Sequence, residues 1–136
     1  QSQTIHRMIT TKILNPNVLH LLSRIRHTNT LVICDYAFPF WPEIETVDLT
    51  LVKGIPTIPQ VLDAIIPNFV LGPVFMASEF KQHNDDARQS EFQQALTEGN
   101  ITFEPHLEFK KRVPRSIGLI RTADTTPYGN LIIESA

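Results

Sequence analysis

Two titratable side chains, His27 and Asp35, flank the apolar run Leu31–Cys34 of this 136-residue chain. Imidazole and carboxylate are groups that proteins often use to move protons near neutral pH. A third such group, His106, directly follows a proline. These residues indicate proton-transfer chemistry, but they do not identify a substrate. The alternative interpretation is purely structural, with His27 capping a helix and Asp35 capping a turn.

A helix is predicted to lead up to His27. The pair Asn15-Pro16 is a typical helix start, because Asn caps free backbone N–H groups and Pro fits the first helical turn. Apolar residues then recur at helical spacing as far as Ile25. We therefore predict a helix over 16–26 with His27 at its C-terminal end. Partial negative charge there would favour the protonated imidazole, which makes His27 a candidate proton donor.

A strand is predicted to lead up to Asp35. Residues 30–34 form a run without a polar face, which is typical of a strand buried on both sides. Asp35 then lies at the carboxyl end of this strand, where ligands bind in open α/β sheets. Only the short turn at Thr28-Asn29 separates the helix from the strand. We therefore expect it to bring His27 and Asp35 together around one pocket.

His106 is predicted to lie at the opposite kind of helix end. Pro105 opens a predicted helix of about two turns, so His106 falls in the first turn. Partial positive charge at a helix N-terminus favours the neutral imidazole. The chain thus supplies one candidate proton donor and one candidate neutral hydrogen-bonding imidazole.

Predicted strands and helices alternate along the rest of the chain, which indicates an α/β layered domain whose largely parallel sheet is flanked by helices. The further strands are predicted over 46–51, 73–78, 101–103, 117–120 and 131–133, and the further helices over 59–66 and 85–98. No internal repeat or linker divides the sequence, so we predict one domain over 8–136. Residues 1–7 are interpreted as an N-terminal extension or an expression remnant and are left out of the fold prediction.

Composition narrows the range of partners. Apolar residues make up 42% of the chain and charged residues 19%, which is typical of a soluble globular protein. The net charge is −2 and no basic stripe is present, which argues against nucleic acid as a partner. No apolar run approaches the ~18–20 residues of a spanning helix, so we expect no membrane partner. The single cysteine, Cys34, fits a reducing, cytoplasmic setting, and we predict that it fills the core rather than acting as a nucleophile.

The sequence contains none of the common nucleotide-binding, phosphate-binding or serine-nucleophile motifs and no paired cysteines. His83 is followed by the polar residues 84–86, but this spacing matches no dedicated metal site, and a solvated helix start is the simpler interpretation. We therefore predict neither a cofactor nor a metal. The aromatic residues Phe38, Phe40 and Trp41 belong either to the core or to one wall of a small-ligand pocket.

Five stretches spread over the chain form a recognisable pattern: ILNPNVLHLLSRIRHTNTLVICD, VDLTLVKGIPTIPQVLDAII, EFKQHN, HLEFK and IRTADTTPYGNLII. In this order they resemble the D-ribose pyranase / L-fucose mutarotase family, and its ribose pyranase branch in particular. The resemblance covers almost the whole chain from Met8. It implies a ribose pyranase-like fold. It also implies an isomerase that interconverts ring forms or anomers of a free monosaccharide by general acid–base catalysis.

The resemblance also implies roles for individual residues. His27 corresponds to the family's catalytic histidine, the proton donor, and Asp35 to a sugar-binding aspartate. The other substrate-binding positions that it implies are His106, Lys110, Tyr128, Gly129 and Asn130. No cofactor or metal is implied. The family forms a ring-shaped decamer of two stacked pentamers, with the sites at clefts between subunits.

Departures from the family pattern lie beside the implied site. Arg26 stands where Gly is usual, Gly129 stands where ribose pyranases often carry Ala, and the bulky segment Tyr36–Trp41 replaces a smaller one. Ribose is the expected substrate, and fucose or another deoxy sugar is the second candidate. Two alternatives remain open: a non-catalytic sugar-binding or transport-accessory ring protein, and a structural ring that has lost its sugar site.

Overall fold

A six-stranded mixed sheet is the framework of the protein. The computed structural model describes residues 9–97 and 99–136, so the predicted N-terminal extension, residues 1–7, lies outside the described residues. The strands are β1 (Thr30–Cys34), β2 (Glu45–Asp48), β3 (Leu71–Ala77), β4 (Ile101–Glu104), β5 (Gly118–Arg121) and β6 (Leu131–Ser135). The helices are α1 (Pro16–Ser23), α2 (Ile58–Ile65), α3 (Glu79–His83), α4 (Asp86–Ala95) and α5 (His106–Arg112), with 3₁₀ turns at Ile66–Asn68 and Val113–Arg115.

The strand order is β2-β5-β1-β6-β3-β4. β6 pairs antiparallel with both of its neighbours, β1 and β3, whereas the other pairs are parallel. The carboxyl ends of β1 to β5 therefore meet the start of β6 at one edge of the sheet, here called the carboxyl edge. The opposite edge, where β1 starts and β6 ends, is called the amino edge. This architecture confirms the predicted α/β domain with a largely parallel sheet.

Both faces of the sheet are covered, because side chains alternate along each strand. Leu31 and Ile33 of β1 belong to a core cluster that includes residues of α1, α2 and α4. Val32 and Cys34 belong to a second cluster on the other face, with residues of α5 and the β1–β2 connection. Cys34 is fully buried, and burial raises the pKa of its thiol to about 12. The prediction that Cys34 fills the core is confirmed.

The predicted end of the first helix is wrong. α1 ends at Ser23 with Arg24 as its C-cap, so His27 lies outside the helix. The cause is a tight turn after the helix, in which the Arg26 N–H donates to Asn29 Oδ1 at 2.8 Å and the Asn29 N–H donates to Arg26 O at 3.0 Å. The charge of a helix terminus acts only within the last turn. It therefore gives no support to His27 as a protonated donor.

Other elements agree with the prediction to different degrees. β1 has the predicted bounds, and α2 begins and ends one residue earlier than predicted. β2 stops at Asp48 rather than at 51, because the Thr50 N–H donates to the Asp48 carboxylate at 2.9 Å. α3 was not predicted, since its five residues bury only Phe80 and are too few to show helical periodicity. No helix in the described part of the chain has the length and apolar character needed to cross a membrane.

A buried carboxylate ties the helix layer to the connection between β5 and β6. Asp124 is 1% exposed. Its Oδ2 accepts a hydrogen bond from the Ile58 N–H, the first of α2, at 2.8 Å. Its Oδ1 accepts one from the Thr126 N–H at 2.7 Å. A single side chain thus fixes the start of α2 to the chain segment that leads into Tyr128.

Replacing Asp124 by Ala should lower the free energy of unfolding by about 2–4 kcal/mol, because two buried N–H groups lose their acceptor. The measurement is the denaturation midpoint at one fixed protein concentration. Asp63→Ala, on the exposed side of α2, is the matched control and should stay near the wild-type midpoint. A wild-type midpoint for Asp124→Ala would mean that this carboxylate does not tie α2 to the connection.

Candidate functional site

A polar cleft of about 210 Å³ opens at the carboxyl edge of the sheet. Its lining residues are Asp35, Ala37, Phe38, Pro39, His106, Tyr128 and Asn130. A second groove, of about 230 Å³, contacts α1 and α2, and the described residues that line it include no titratable side chain. Of these two, the polar cleft is the one whose described lining residues can take part in acid–base chemistry.

The topology of the sheet collects four of the predicted substrate-binding residues in this cleft. Asp35 directly follows β1, and His106 begins α5 just after β4. Tyr128 and Asn130 precede β6, which runs against its neighbours. Each of these residues therefore lies at the carboxyl edge, as ligand sites in α/β sheets do.

Asp35 is held by hydrogen bonds to Asn130 and Ala37. Its backbone N–H donates to Asn130 Oδ1 at 2.7 Å, and its Oδ1 accepts from the Ala37 N–H at 3.1 Å. Burial raises the pKa of this half-buried carboxyl above its usual value, and the nearby Asp124 acts in the same direction. The loop N–H groups and Arg121 act in the opposite direction.

His106 is anchored through its backbone. Its N–H donates to the carboxylate of Glu79, at 3.1 and 3.3 Å from the two oxygens. Burial lowers the pKa of the imidazole, and the charge of Lys110 lowers it further, while Glu79 and Asp35 oppose the shift. The lowered pKa favours the neutral imidazole, as predicted, but its main cause is burial rather than the helix N-terminus. Nδ1 is buried and has no hydrogen-bond partner among the described residues.

Tyr128 is supported by α3, the helix that was not predicted. Its ring meets the His106 ring edge-on at 5.2 Å between centroids, and the His83 ring at 5.0 Å. Asn84 Nδ2 donates to Pro127 O at 2.9 Å, which fixes the chain just before Tyr128. His83 is exposed, but it ends α3 and does not start a helix. The EFKQHN stretch, residues 79–84, therefore supports Tyr128 and so helps to fix the shape of the cleft.

Two predicted substrate-binding residues do not line the cleft of the single chain. Lys110 lies one helical turn after His106 on α5, and its charge acts on that imidazole. Gly129 faces the core: a side-chain carbon there would lie 3.2 Å from the Phe92 ring. Both positions can influence the cleft through the residues beside them.

His27 lies at the amino edge, away from the cleft. The turn that carries it is fixed to the end of β6, because the Thr28 N–H donates to Ser135 O at 2.9 Å. The extended strand β1 separates His27 from Asp35, and its five residues at about 3.3 Å each span roughly 16 Å. The expectation that the two side chains share one pocket within a chain is therefore wrong. The turn before the strand changes the direction of the chain, but it cannot shorten the strand.

The aromatic segment divides between core and surface. Phe38 is 6% exposed, belongs to the second core cluster and also lines the cleft, next to Pro39. Trp41 packs against the same cluster, with its ring 6.1 Å from that of Phe38. Phe40 is 70% exposed. The apolar wall of the cleft is thus formed by Phe38 and Pro39.

Sequence reasoning missed Glu79 and Arg121. Glu79 holds the backbone of His106, and Arg121 lies beneath the Asp35–Pro39 loop with donors directed at its carbonyl groups. An arginine that ends an otherwise apolar strand run, GLIR, was the available signal for Arg121. Glu79 begins the EFKQHN stretch of the family resemblance, but nothing in that stretch shows that its carboxylate contacts the backbone of His106.

The cleft combines a carboxylate, an imidazole, a phenol and a carboxamide within one small volume. Such a set can donate and accept several hydrogen bonds at once, as a small hydroxyl-rich ligand requires. The described residues contain no group of three or more His, Cys, Asp or Glu side chains placed to hold a metal ion. Fold and cleft together define an α/β protein with a polar cleft at the carboxyl edge of its sheet.

The chain belongs to the RbsD / FucU transport protein family, which it matches over residues 8–136. It is 38% identical over 123 residues to a D-ribose pyranase of Geobacillus thermodenitrificans, covering 90% of this chain and 92% of that one. It is 33% identical over 128 residues to a D-ribose pyranase of Rhodopirellula baltica, covering 92% and 95%. The resemblance seen in the sequence is therefore confirmed.

Solved structures agree with this assignment. The structure of Bacillus subtilis RbsD complexed with D-ribose matches 95% of this chain and 98% of its own, with a TM-score of 0.87 and 27% identity. The fucose mutarotase of Streptococcus pneumoniae in complex with L-fucose matches 93% and 95%, with a TM-score of 0.78 and 18% identity. The second likeness concerns the fold alone.

The effect of the Lys110 charge can be tested by measuring the pKa of the His106 imidazole. Lys110→Met should raise the pKa of His106 towards its ordinary value, because a cation that disfavours protonation is removed while burial persists. The measurement is an NMR titration of the histidine rings, with the His106 signal assigned from His106→Gln. Lys111→Met is the matched control, since Lys111 is exposed and paired with Glu108. An equal rise in both variants, or no rise in Lys110→Met, would contradict a specific effect of Lys110.

Proposed function

We propose that this protein is a sugar isomerase that interconverts the ring forms or anomers of a free monosaccharide, with ribose as the first candidate. The observation that carries the proposal is the polar cleft formed by Asp35, His106, Tyr128 and Asn130. The D-ribose pyranases that match this chain over most of its length support it.

Proton transfer is the only catalytic help that the proposed reaction needs. A cyclic sugar is a hemiacetal. It opens when the anomeric hydroxyl loses its proton to water, the ring oxygen gains a proton, and the bond between the anomeric carbon and the ring oxygen breaks. Closure through a different hydroxyl changes the ring size, and closure on the other face of the carbonyl gives the other anomer. The reaction already proceeds in water, and general acid–base assistance contributes typically ~10²–10⁴-fold.

We assign His27 as the catalytic acid–base group that protonates the ring oxygen and later takes the proton back. Asp35, His106, Tyr128 and Asn130 bind sugar hydroxyls. The neutral imidazole favoured by the lowered pKa of His106 can donate from one nitrogen and accept at the other. In this proposal Lys110 and Gly129 also belong to the substrate-binding set, Lys110 through the imidazole beside it and Gly129 through the tight turn after Tyr128.

Because of the position of His27, the proposal includes a site that two subunits share. His27 cannot reach the cleft of its own chain, so it acts in the cleft of a neighbouring subunit. We therefore propose a homo-oligomer, and specifically the ring-shaped decamer that the family resemblance implies. Exposed apolar side chains of the 49–56 connection support such contacts, with Leu51 75%, Val52 54% and Ile55 53% exposed in the single chain.

Ribose is the first choice of sugar, and fucose or another deoxy sugar is the second. The apolar wall formed by Phe38 and Pro39 could cover a methyl group, and one buried methyl is worth roughly 1 kcal/mol. We place the activity in the cytoplasm, where the single free thiol, Cys34, stays reduced.

Replacing His27 by Ala should lower the rate of ring-form exchange by about 10²–10⁴-fold. Sugar binding and the fold should persist, because the side chain is exposed in a turn and its loss opens no core cavity. The measurement is exchange NMR on ribose and on fucose, with binding measured by calorimetry. His20→Ala, which removes another exposed histidine on α1, should exchange sugar at the wild-type rate.

The same experiment separates the alternatives. Wild-type protein that binds sugar without accelerating exchange would favour the non-catalytic binding protein. A wild-type exchange rate in His27→Ala would remove His27 from the mechanism. Faster exchange of fucose than of ribose would reverse the order of the two candidate sugars.

Mixing two inactive chains tests the shared site. If each site takes His27 from one subunit and Asp35 from another, co-expression of His27→Ala with Asp35→Asn should restore about one quarter of the sites. Co-expression of two differently tagged His27→Ala chains is the control and should restore none. A light-scattering mass of 15.5 kDa, that of a single chain, would contradict the assembly, and absence of recovery in a stable oligomer would contradict the sharing.

A further inference from the structure

We propose that Arg121 is a positioning residue of the cleft, whose guanidinium holds the Asp35–Pro39 loop in the conformation that forms one wall of the sugar site. The contacts of Arg121 with the loop support this role. Only the identity of the ligand, a sugar, rests on the proposed function.

The order of the strands creates the need for such a residue. β5 lies between β1 and β2, so the chain that leaves β1 must cross β5 to reach the start of β2. Arg121 is the last residue of β5 and lies in register with Cys34 of β1 and Asp48 of β2. Since side chains alternate along a strand, Arg121 shares the face of Leu119, which belongs to the second core cluster. Its side chain therefore lies under the crossing segment.

The contacts of Arg121 go mainly to backbone carbonyls of that segment. Nη1 donates to Phe38 O at 2.6 Å, and lies 3.3 Å from Asp35 O and 3.5 Å from Tyr36 O. Nη2 donates to Pro39 O at 3.4 Å. The side chain is 11% exposed, and its Nε lies 4.0 Å from the carboxylate of Asp48. One largely buried cation thus contacts four carbonyl groups within five consecutive residues.

The chemistry of guanidinium suits this role better than that of an ammonium group. Guanidinium is planar and carries five N–H donors that point in fixed directions, so it can serve several carbonyls at once. The segment it serves includes four cleft residues: Asp35, Ala37, Phe38 and Pro39. A shift of this segment would move the carboxylate of Asp35 and the apolar wall together. Such misplacement of binding groups weakens binding and catalysis.

The test compares Arg121→Met and Arg121→Lys. The chain has one tryptophan, Trp41, two residues after Pro39 and packed near Phe38, so intrinsic fluorescence reports on this segment. In Arg121→Met we expect a red-shifted emission, stronger quenching by acrylamide, and ribose affinity weaker by about 10–100-fold. Arg121→Lys should be intermediate in each measurement. Both variants should show a larger change in KM than in kcat, because Arg121 does not touch the reacting atoms.

Arg24→Met is the matched control, since it removes an exposed arginine paired with Glu45 outside the cleft. It should leave fluorescence and affinity at the wild-type values. Folded Arg121→Met with wild-type Trp41 emission and ribose affinity would overturn the proposal. If Arg121→Met does not fold, Arg121→Lys decides: wild-type emission and affinity in that variant would overturn it. Failure of the proposed function looks different, because the wild type would not bind or exchange ribose while the Trp41 change in Arg121→Met would persist.

Discussion

The site depends on the reversed direction of β6. Because β6 lies antiparallel between β1 and β3, its first residues lie where its neighbours end. The hydrogen bond from the Asp35 N–H to Asn130 Oδ1, 2.7 Å long, joins the end of β1 to the start of β6. A parallel β6 would carry Tyr128 and Asn130 to the opposite edge, and the cleft would lose two of its four polar side chains. The direction of one strand therefore decides whether all four polar side chains lie at the same edge of the sheet.

The same geometry separates His27 from the cleft. β1 is buried on both faces and extended, so its two ends lie at opposite edges of the sheet. A residue that precedes β1 shares an edge with the end of β6, and the bonds between Thr28, Asn29 and Ser135 fix it there. No rotamer of His27 can compensate for the length of the strand. If His27 is the catalytic group, the strand that organises the cleft in each subunit also requires a second subunit to complete it.

The sequence predicted best what depends on local pattern. The bounds of β1 and the positions of Asp35 and His106 at element ends follow from apolar runs and from proline, and the structure has them in those places. The end of α1 was missed because it depends on the Asn29 side chain, which captures the Arg26 N–H. The support of Tyr128 by His83 and the contacts of Arg121 could not be predicted, because they depend on strand order. Every residue has a backbone carbonyl, so the sequence does not show which carbonyl groups Arg121 contacts. The domain bounds and the roles of the site residues stay predictions.

The pKa shifts in the cleft suit the uncharged sugar that we propose as its ligand. Burial raises the pKa of Asp35 and lowers that of His106, so it pushes both groups towards their neutral forms. A sugar offers hydroxyls but no opposite charge, and an unpaired buried charge facing it would be costly. The two cations nearby act differently: Lys110 disfavours a charged His106, whereas Arg121 favours the charged form of Asp35 while its donors point at loop carbonyls. The two shifts act in the same sense, since each one disfavours a charge that a sugar hydroxyl cannot neutralise.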